Sequence, residues 1–259
     1  MLIGISGKIG SGKDTVAKIM QFLIFRDKLK KQGKELVGSN DVHWSVFSKW
    51  SDAQREQWSG YSIEKYDGAL KDMVCRMLAC TREQLEDPVF KNTELPEDWW
   101  YYETSKNPRI ILPRGYFPEE SDNLLCENRY LVKPTPRLIL QNMGTEGMRE
   151  QVHPNFWVNA LFSGYKRMSH SGSTRDMKFP NWIITDVRFP NELKAIEERG
   201  GIPIRISRTG IHTPKPEDLH PSETSLDNAS FKYYINNDGT LEDLIKKVHE
   251  ILILENIIL

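Results

Sequence analysis

Residues Leu2–Met20 read LIGISGKIGSGKDTVAKIM, and this stretch decides the fold class. A short apolar run leads into glycines and a lysine at the spacing G-x-x-x-x-G-K, followed by apolar residues at helical spacing. Glycines allow a tight turn that brings backbone N–H groups onto phosphate oxygens, and the next helix adds the positive end of its dipole. Because the pattern lies between a strand and an amphipathic helix, we prefer a phosphate-binding loop to a plain connecting turn.

This loop supplies the candidate nucleotide-binding residues. Lys13 adds a movable positive charge for the β and γ phosphates, and Thr15 offers a hydroxyl to the α-phosphate. Asp14 stands where such loops carry Ser or Thr. Two compatible roles stay open for it: a ligand of Mg²⁺, directly or through water, or an anion that caps the positive helix end. The candidate set is Gly7, Ile9, Gly10, Ser11, Gly12, Lys13, Asp14 and Thr15.

Composition narrows the classes of partner. The chain has 259 residues and a formal net charge of −1, so no general basic field points to nucleic acid. It shows neither a signal peptide nor an apolar run long enough to cross a membrane. Its three cysteines fit no zinc spacing. We therefore expect a cytoplasmic protein with small-molecule partners, with no nucleic acid and no membrane, and a homodimer stays open.

Five short apolar segments are typical of buried strands, and several of them precede a helical pattern. The alternation predicts an α/β fold with a five-stranded parallel sheet covered by helices on both faces. After the last segment, Thr240 and Asp243 have the spacing of a helix-capping pair. The segments are Leu2–Ser6, Ser62–Asp67, Trp182–Asp186, Ile202–Ser207 and Lys232–Ile235.

Two stretches interrupt the alternation. Residues 85–136 contain seven of the 14 prolines together with the aromatic run at 99–102, which predicts an irregular insertion on the substrate side. The polar stretch 163–180 predicts an exposed loop. Between them, residues 137–162 predict two helices, the second of which opens at Pro154.

The segment Trp182–Glu192 carries the other half of the expected site. An apolar strand that ends in Asp186 is where a phosphate-loop enzyme places a second carboxylate, near the metal or its waters. Arg188 follows two residues later, where parallel sheets bind ligands beyond their carboxyl ends. A surface arginine paired with Glu192 is the alternative for Arg188.

Six motifs then follow one another along the chain. They are SGKIGSGKDT (6–15), LKDMV (70–74), REQLEDPVFK (82–91), LQNMGTEGMR (140–149), IITDVRFPNE (183–192) and HPSETSLD (220–227). In this order they resemble the phage-type deoxynucleoside monophosphate kinases, which are adenylate-kinase-like phosphate-loop enzymes. The resemblance implies one domain over residues 1–259 with the three-layer phosphate-loop NTPase fold, an insertion at about 85–136 and a lid at about 208–227.

The resemblance also implies an activity and a set of roles. The expected reaction transfers the γ-phosphoryl group of ATP to a deoxynucleoside 5′-monophosphate with Mg²⁺, in the host cytoplasm if a phage encodes the enzyme. Lys13, Asp186 and Arg188 are the catalytic candidates, and Asp14 and Asp186 are the metal candidates. Arg208, and with it His220, is expected to approach ATP when the lid closes.

An acceptor phosphate needs basic residues of its own, and guanidinium groups match phosphate oxygens bidentately. Arg149 and Arg188 are the first candidates, and Lys71 is the third. Gln141 is a candidate for reading a base edge, with a helix-surface glutamine as the alternative. Trp157 is a candidate for stacking on the base, although a core position is favoured.

Two other functions remain open at this point. Phosphomevalonate kinases can carry a similar Gly-Lys-Asp loop, so the loop alone does not decide the substrate. A nucleotide-binding switch would bind ATP without a small acceptor, and the second set of phosphate-binding candidates argues against it. The GTEGMR and DVRFPNE blocks together favour the nucleotide kinase.

Overall fold

A computed structural model describes residues 1–34, 43–104, 111–113, 129–169, 177–210 and 221–259. The chain forms two compact units. The first unit comprises Met1–Tyr66 and Trp157–Leu259, and the second comprises Asp67–Phe156. His220 and most of the expected lid at 208–227 lie outside the described residues.

A five-stranded parallel sheet forms the centre of the first unit, with the order β10-β9-β1-β8-β2. The sheet confirms all five predicted strands. The second strand ends at Glu64, earlier than predicted. Beyond it, the Tyr66 N–H donates to the Asp186 side chain, as expected of a residue outside the sheet ladder. The strands of the chain are β1 (Leu2–Gly7), β2 (Ser62–Glu64), β3 (Tyr101–Thr104), β4 (Ile111–Pro113), β5 (Arg129–Val132), β6 (Met168–Ser169), β7 (Met177–Lys178), β8 (Trp182–Val187), β9 (Ile202–Ser207) and β10 (Tyr233–Asn236).

Helices cover both faces of this sheet, which confirms the three-layer prediction. Ile3 and Ile5 pack in one core with residues of α1 and α11. Gly4 points to the opposite face because side chains alternate along a strand, and there it abuts Ile196 of α9. The helices are α1 (Lys13–Lys31), α2 (Trp44–Phe47), α3 (Asp52–Ser59), α4 (Gly68–Leu78), α5 (Arg82–Glu86), α6 (Pro88–Lys91), α7 (Pro136–Gln141), α8 (Phe156–Phe162), α9 (Pro190–Glu197), α10 (Pro221–Thr224) and α11 (Leu241–Leu254).

The start of α11 confirms the predicted capping pair. The Asp243 N–H donates to the Thr240 hydroxyl at 3.2 Å, and the Thr240 N–H donates to the Asp243 carboxylate at 3.0 Å. Two backbone donors at the helix start are thereby satisfied. Among the described residues, no helix is long and apolar enough to cross a membrane.

The second unit is more regular than the sequence predicts. Within the expected irregular stretch 85–136, the described residues form α6 and an antiparallel sheet with the order β4-β3-β5. The prediction missed this sheet because its strands have only three or four residues and are interspersed with prolines.

The two helices predicted over 137–162 are present, with one difference. The chain continues from α7 into a π-helix over Asn142–Val152, which contains the GTEGMR block, and α8 begins at Phe156, two residues after Pro154. The stretch 163–180 is also not purely an exposed loop. Tyr165 stacks on Phe179 and contacts Trp182, so part of it packs onto the first unit's sheet.

Candidate active site

The candidate site lies at the edge of the first unit's sheet where the carboxyl ends of its parallel strands meet. The phosphate loop follows β1, Asp186 lies near the end of β8, and Arg188 comes directly after it. Arg208 follows β9 in the same way. Open α/β sheets bind ligands beyond this edge, so the topology gathers residues that are far apart in the sequence.

The phosphate loop is held in a conformation that only glycine adopts easily. Gly10 and Gly12 have φ angles of 77° and 99°, in the left-handed region. A Cβ on Gly12 would lie 2.6 Å from Nδ2 of Asn237, and that same amide donates to the Ser11 carbonyl at 2.9 Å. A Cβ on Gly7 would lie 2.5 Å from the Ile206 carbonyl oxygen. The backbone therefore approaches its neighbours too closely for larger residues.

Lys13 is the first residue of α1, and its ammonium group reaches back over the loop. It donates to the carbonyl oxygens of Gly7 at 2.7 Å and Lys8 at 2.9 Å. Burial, together with the positive charge of Arg188, lowers the pKa of Lys13 from 10.5 to about 8. The charge lies at the mouth of the loop, where polyphosphate oxygens would bind.

Three carboxylates oppose that lowering of the Lys13 pKa. They belong to Glu223, Asp14 and Asp186. Because the charges of all these groups act on Lys13, it forms one electrostatic cluster with Arg188 and with both predicted metal-binding aspartates. The structure thus brings together four predicted charged residues and adds Glu223, which the sequence analysis did not single out.

Asp14 lies in the first turn of α1, but it is not the capping residue, because the N-cap is Gly12. Its Oδ1 accepts a hydrogen bond from the Thr185 hydroxyl at 3.0 Å and lies 3.2 Å from the Lys65 ammonium. Partial burial would raise the pKa of Asp14, but Lys65, Thr185 and Lys13 outweigh it and hold the pKa below its ordinary value. Asp14 is therefore a carboxylate with its charge stabilised at the positive end of the helix.

Asp186 is buried, with 5% of its surface exposed, and it accepts the Tyr66 backbone N–H at 2.8 Å. Among the described residues, no group of three or more His, Cys, Asp or Glu side chains is placed to hold a metal ion. Mg²⁺ in phosphoryl-transfer sites is commonly held by one or two carboxylates plus substrate phosphates, so the pair Asp14 and Asp186 fits that donor set.

Arg188 is fixed through both its backbone and its side chain. The backbone N–H groups of Arg188 and Phe189 donate to one carboxylate oxygen of the buried Glu192, at 2.8 and 3.1 Å. The guanidinium group donates to Glu223 Oε1 at 2.9 Å. Glu192 is therefore a buried partner of the Arg188 backbone, which differs from the surface side-chain pair of the sequence analysis.

Three predicted substrate residues belong to the second unit. The Lys71 ammonium lies between carboxylates of Asp67 at 2.9 Å and Glu86 at 2.7 Å. Burial alone would lower the pKa of Lys71, but both carboxylates outweigh it and raise the pKa. Arg149 lies in the π-helix and donates to the Pro154 carbonyl at 3.4 Å, and Gln141 ends α7.

The remaining candidates lie in the first unit. Thr15 is in the first turn of α1, and Ile9 at the tip of the loop is 42% exposed. Trp157 is 3% exposed, which fits the core position that the sequence favoured. Arg208 lies near Asp238, whose carboxylate is held mainly by the Thr209 N–H.

Sequence reasoning missed Lys65, Thr185 and Asn237 as well as Glu223. Their contacts join segments that are distant in the chain, so no local pattern marks them. Lys65 and Asn237 directly follow the ends of β2 and β10 at the ligand-binding edge. This was a usable signal only for Asn237, because the predicted second strand ran on past Lys65.

A comparison with known proteins bears on this geometry. A family profile described as deoxynucleotide monophosphate kinase matches residues 1–248. The chain belongs to this family. It is 26% identical over 241 residues to the deoxynucleoside-5′-monophosphate kinase of Escherichia phage T5, across 87% of this chain and 85% of that protein.

Other relatives match over shorter stretches. The deoxynucleotide monophosphate kinase of Escherichia phage RB69 is 28% identical over 116 residues, which cover 45% of this chain and 44% of that protein. A protein of Acanthamoeba polyphaga mimivirus is 34% identical over 122 residues, which cover 44% of this chain and 59% of the relative. The chain thus spans about half the length of these two relatives.

Proposed function

We propose that this protein is a deoxynucleoside monophosphate kinase, which transfers the γ-phosphoryl group of ATP to a deoxynucleoside 5′-monophosphate in the cytoplasm. The observation that carries the proposal is the cluster of Lys13, Arg188, Asp14 and Asp186 beside a glycine-constrained phosphate loop. Membership of the family supports the choice of substrate.

The reaction needs no covalent bond to the protein. An oxygen of the acceptor phosphate attacks the γ-phosphorus of ATP, one P–O bond forms, and the bond from that phosphorus to the β–γ bridging oxygen breaks. The products are ADP and the deoxynucleoside diphosphate. The protein contributes alignment of two anions and neutralisation of their charge.

The loop suits the polyphosphate of the donor. Its N–H groups and the start of α1 would face the β-phosphate, and Lys13 would exchange its two carbonyl partners for phosphate oxygens. The buried Ser11 hydroxyl has no hydrogen-bond partner among the described residues, which marks a polar position in the loop suited to an anion. Arg188 would stabilise charge on the transferred group.

Asp14 and Asp186 would hold Mg²⁺, directly or through water. When bound, Mg²⁺ neutralises phosphate charge and lowers the cost of bringing donor and acceptor together. The two aspartates differ in their surroundings, because Asp14 also pairs with Lys65 whereas Asp186 is fixed by a backbone N–H. We infer that the Asp186 carboxylate is held in place more firmly. The position and charge of the Asp14 carboxylate should depend more on its neighbours, such as Lys65.

For the acceptor, Arg149 and Arg188 remain our first choices for the phosphate, and Gln141 for a base edge. Lys71 ranks behind them because two carboxylates already neutralise it. Trp157 ranks last because its ring is buried. A lid at about 208–227, with Arg208 at its start, would exclude water so that ATP is not hydrolysed.

The test is ADP formation from ATP with no acceptor, with each deoxynucleoside monophosphate, with the ribose counterparts and with phosphomevalonate. We expect turnover that depends on at least one deoxynucleoside monophosphate. Turnover with phosphomevalonate alone would assign the enzyme to another branch of small-molecule kinases. Slow hydrolysis that no acceptor accelerates would indicate a nucleotide-binding switch.

A further inference from the structure

Two acidic residues of the first unit hold basic residues that lie beside the phosphate loop. Glu223 belongs to α10, and Asp227 follows four residues later. Asp227 Oδ2 lies 2.7 Å from the ammonium of Lys8, a loop residue, and Glu223 Oε1 lies 2.9 Å from the guanidinium of Arg188. Each carboxylate therefore links this segment to a cation at the loop or at the end of β8.

The two pairs differ in burial, and the difference singles out Glu223. The Lys8 and Asp227 side chains are 45% and 39% exposed, so their ion pair has small energetic value, and Asp227 is shared with Arg205 at 3.0 Å. The Glu223 side chain is only 7% exposed, and that of Arg188 is 35% exposed. A buried carboxylate beside a partly exposed guanidinium restricts the cation to one side, while part of the guanidinium surface stays accessible to a phosphate.

Glu192 fixes the backbone of Arg188, and Glu223 acts on the orientation of its side chain. Glu192 accepts the backbone N–H of Arg188, but an arginine side chain keeps considerable rotamer freedom beyond a fixed backbone. Glu223 also supplies a negative charge near Lys13, which lets two cations share the loop region. A positioned guanidinium stabilises a transition state better than a mobile one.

We propose that Glu223 is a positioning residue that holds the Arg188 guanidinium toward the phosphate loop for phosphoryl transfer. The proposal rests on the proposed kinase function. Glu223 itself does not contact the substrate. It increases the fraction of time that the Arg188 guanidinium spends in the productive orientation.

The test compares Glu223→Gln with Glu255→Gln in steady-state kinetics with ATP and the best acceptor. Glu255 is a matched control because its side chain is also largely buried, at 13% exposed, and also pairs with a cation. That cation is Lys232, at 2.6 Å, next to the amino end of β10 and away from the loop. We expect Glu223→Gln to lower kcat on the order of tenfold to a hundredfold, as a misplaced catalytic group does, with little change in the KM for ATP. Glu255→Gln should keep the wild-type kcat.

A double-mutant cycle separates positioning from a general loss of structure. Once Arg188 is replaced by Met, a further Glu223→Gln change should lower kcat no more, because the residue it positions is gone. The double variant also removes both charges together, so it serves if Glu223→Gln alone does not fold. Additive losses would overturn the proposal.

Two further outcomes would also contradict it. Both have an unchanged kcat in Glu223→Gln. An unchanged acceptor KM would mean that Glu223 plays no part in the reaction, and a lower acceptor KM would mean that Glu223 competes with phosphate for Arg188. Failure of the kinase function itself appears separately, as a wild-type enzyme that turns over no deoxynucleoside monophosphate.

Discussion

At the scale of single residues, Lys13 carries the clearest pH dependence. Its pKa of about 8 means that it is mostly charged at pH 7 and mostly neutral at pH 9. Since the charged form attracts polyphosphate, ATP affinity of the free enzyme should fall as pH rises above 8. We expect calorimetric titrations to show this fall for the wild type and not for Lys13→Arg, whose guanidinium stays charged throughout. Equal pH profiles for the two proteins would contradict the role of Lys13.

Asp14 offers a second test at this scale. Asp14→Asn keeps a hydrogen-bond acceptor for the Thr185 hydroxyl and nearly the same volume, but it removes the charge that Mg²⁺ and Lys65 require. We expect a folded protein whose Mg²⁺ concentration for half-maximal rate is raised and whose turnover is lowered. Asp14→Ser, which restores the usual loop residue, should recover part of the activity. A Mg²⁺ titration that overlays the wild-type curve would remove the metal role.

At the scale of elements, the junction between the phosphate loop and α1 depends on Gly12. Gly12→Ala places a Cβ against Asn237 and also imposes a left-handed conformation on alanine, which costs about 1–2 kcal/mol. Gly33→Ala is the control, since Gly33 has φ 67° but open space around its Cβ position. We expect both variants to lose stability in denaturant titrations and only Gly12→Ala to lose ATP binding. Normal ATP affinity in Gly12→Ala would contradict the tight fit of the loop.

The elements that the sequence predicted well are those with local patterns. β1, β8 and β9 are apolar runs bounded by clear turns, and α11 has its capping pair at Thr240. The antiparallel sheet of the second unit was missed because three-residue strands hold too few positions for alternation to appear. A helix over residues 142–152 was predicted, but its π-helical form was not, because π-helices are rare.

At the scale of the whole molecule, the site combines residues from all along the first unit, which limits what a sequence can predict. Lys13 was found because its loop follows an apolar strand, and Asp186 because it lies at the end of one, whereas Glu223 contacts Arg188 across 35 positions. Ion pairs between distant segments leave no periodic signal. The fold class was therefore predictable, and the partners that orient the charged residues were not.

The second unit carries a charge network that should make its stability depend on acid. Burial would raise the pKa of Glu86, but the hydrogen bonds and charges of Lys71 and Lys91 outweigh it and lower the pKa from 4.5 to about 2. Its stabilising effect is therefore complete above pH 4.5 and is lost as the pH falls toward 2. Because the side chain is 47% exposed, solvent screening limits the effect to about 1 kcal/mol or less.

We expect Glu86→Gln to lower the thermal unfolding midpoint at pH 7 and to approach the wild type as the pH falls from 4.5 toward 2. Raising the salt concentration at pH 7 should narrow the same gap, because screening weakens a half-exposed ion pair. A gap that stays constant from pH 7 to 3 would mean that Glu86 stabilises the unit through packing.

The central claim is direct phosphoryl transfer between two bound nucleotides, and label transfer from ATP tests it most directly. ATP labelled with ³²P at the γ position is incubated with the protein, Mg²⁺ and each deoxynucleoside monophosphate, and the products are separated by chromatography. We predict label in the deoxynucleoside diphosphate in amounts equal to the ADP formed. With the Lys13→Ala variant in place of the wild type, we predict no labelled diphosphate. Label that appears only in inorganic phosphate, or that stays bound to the protein, would contradict the account.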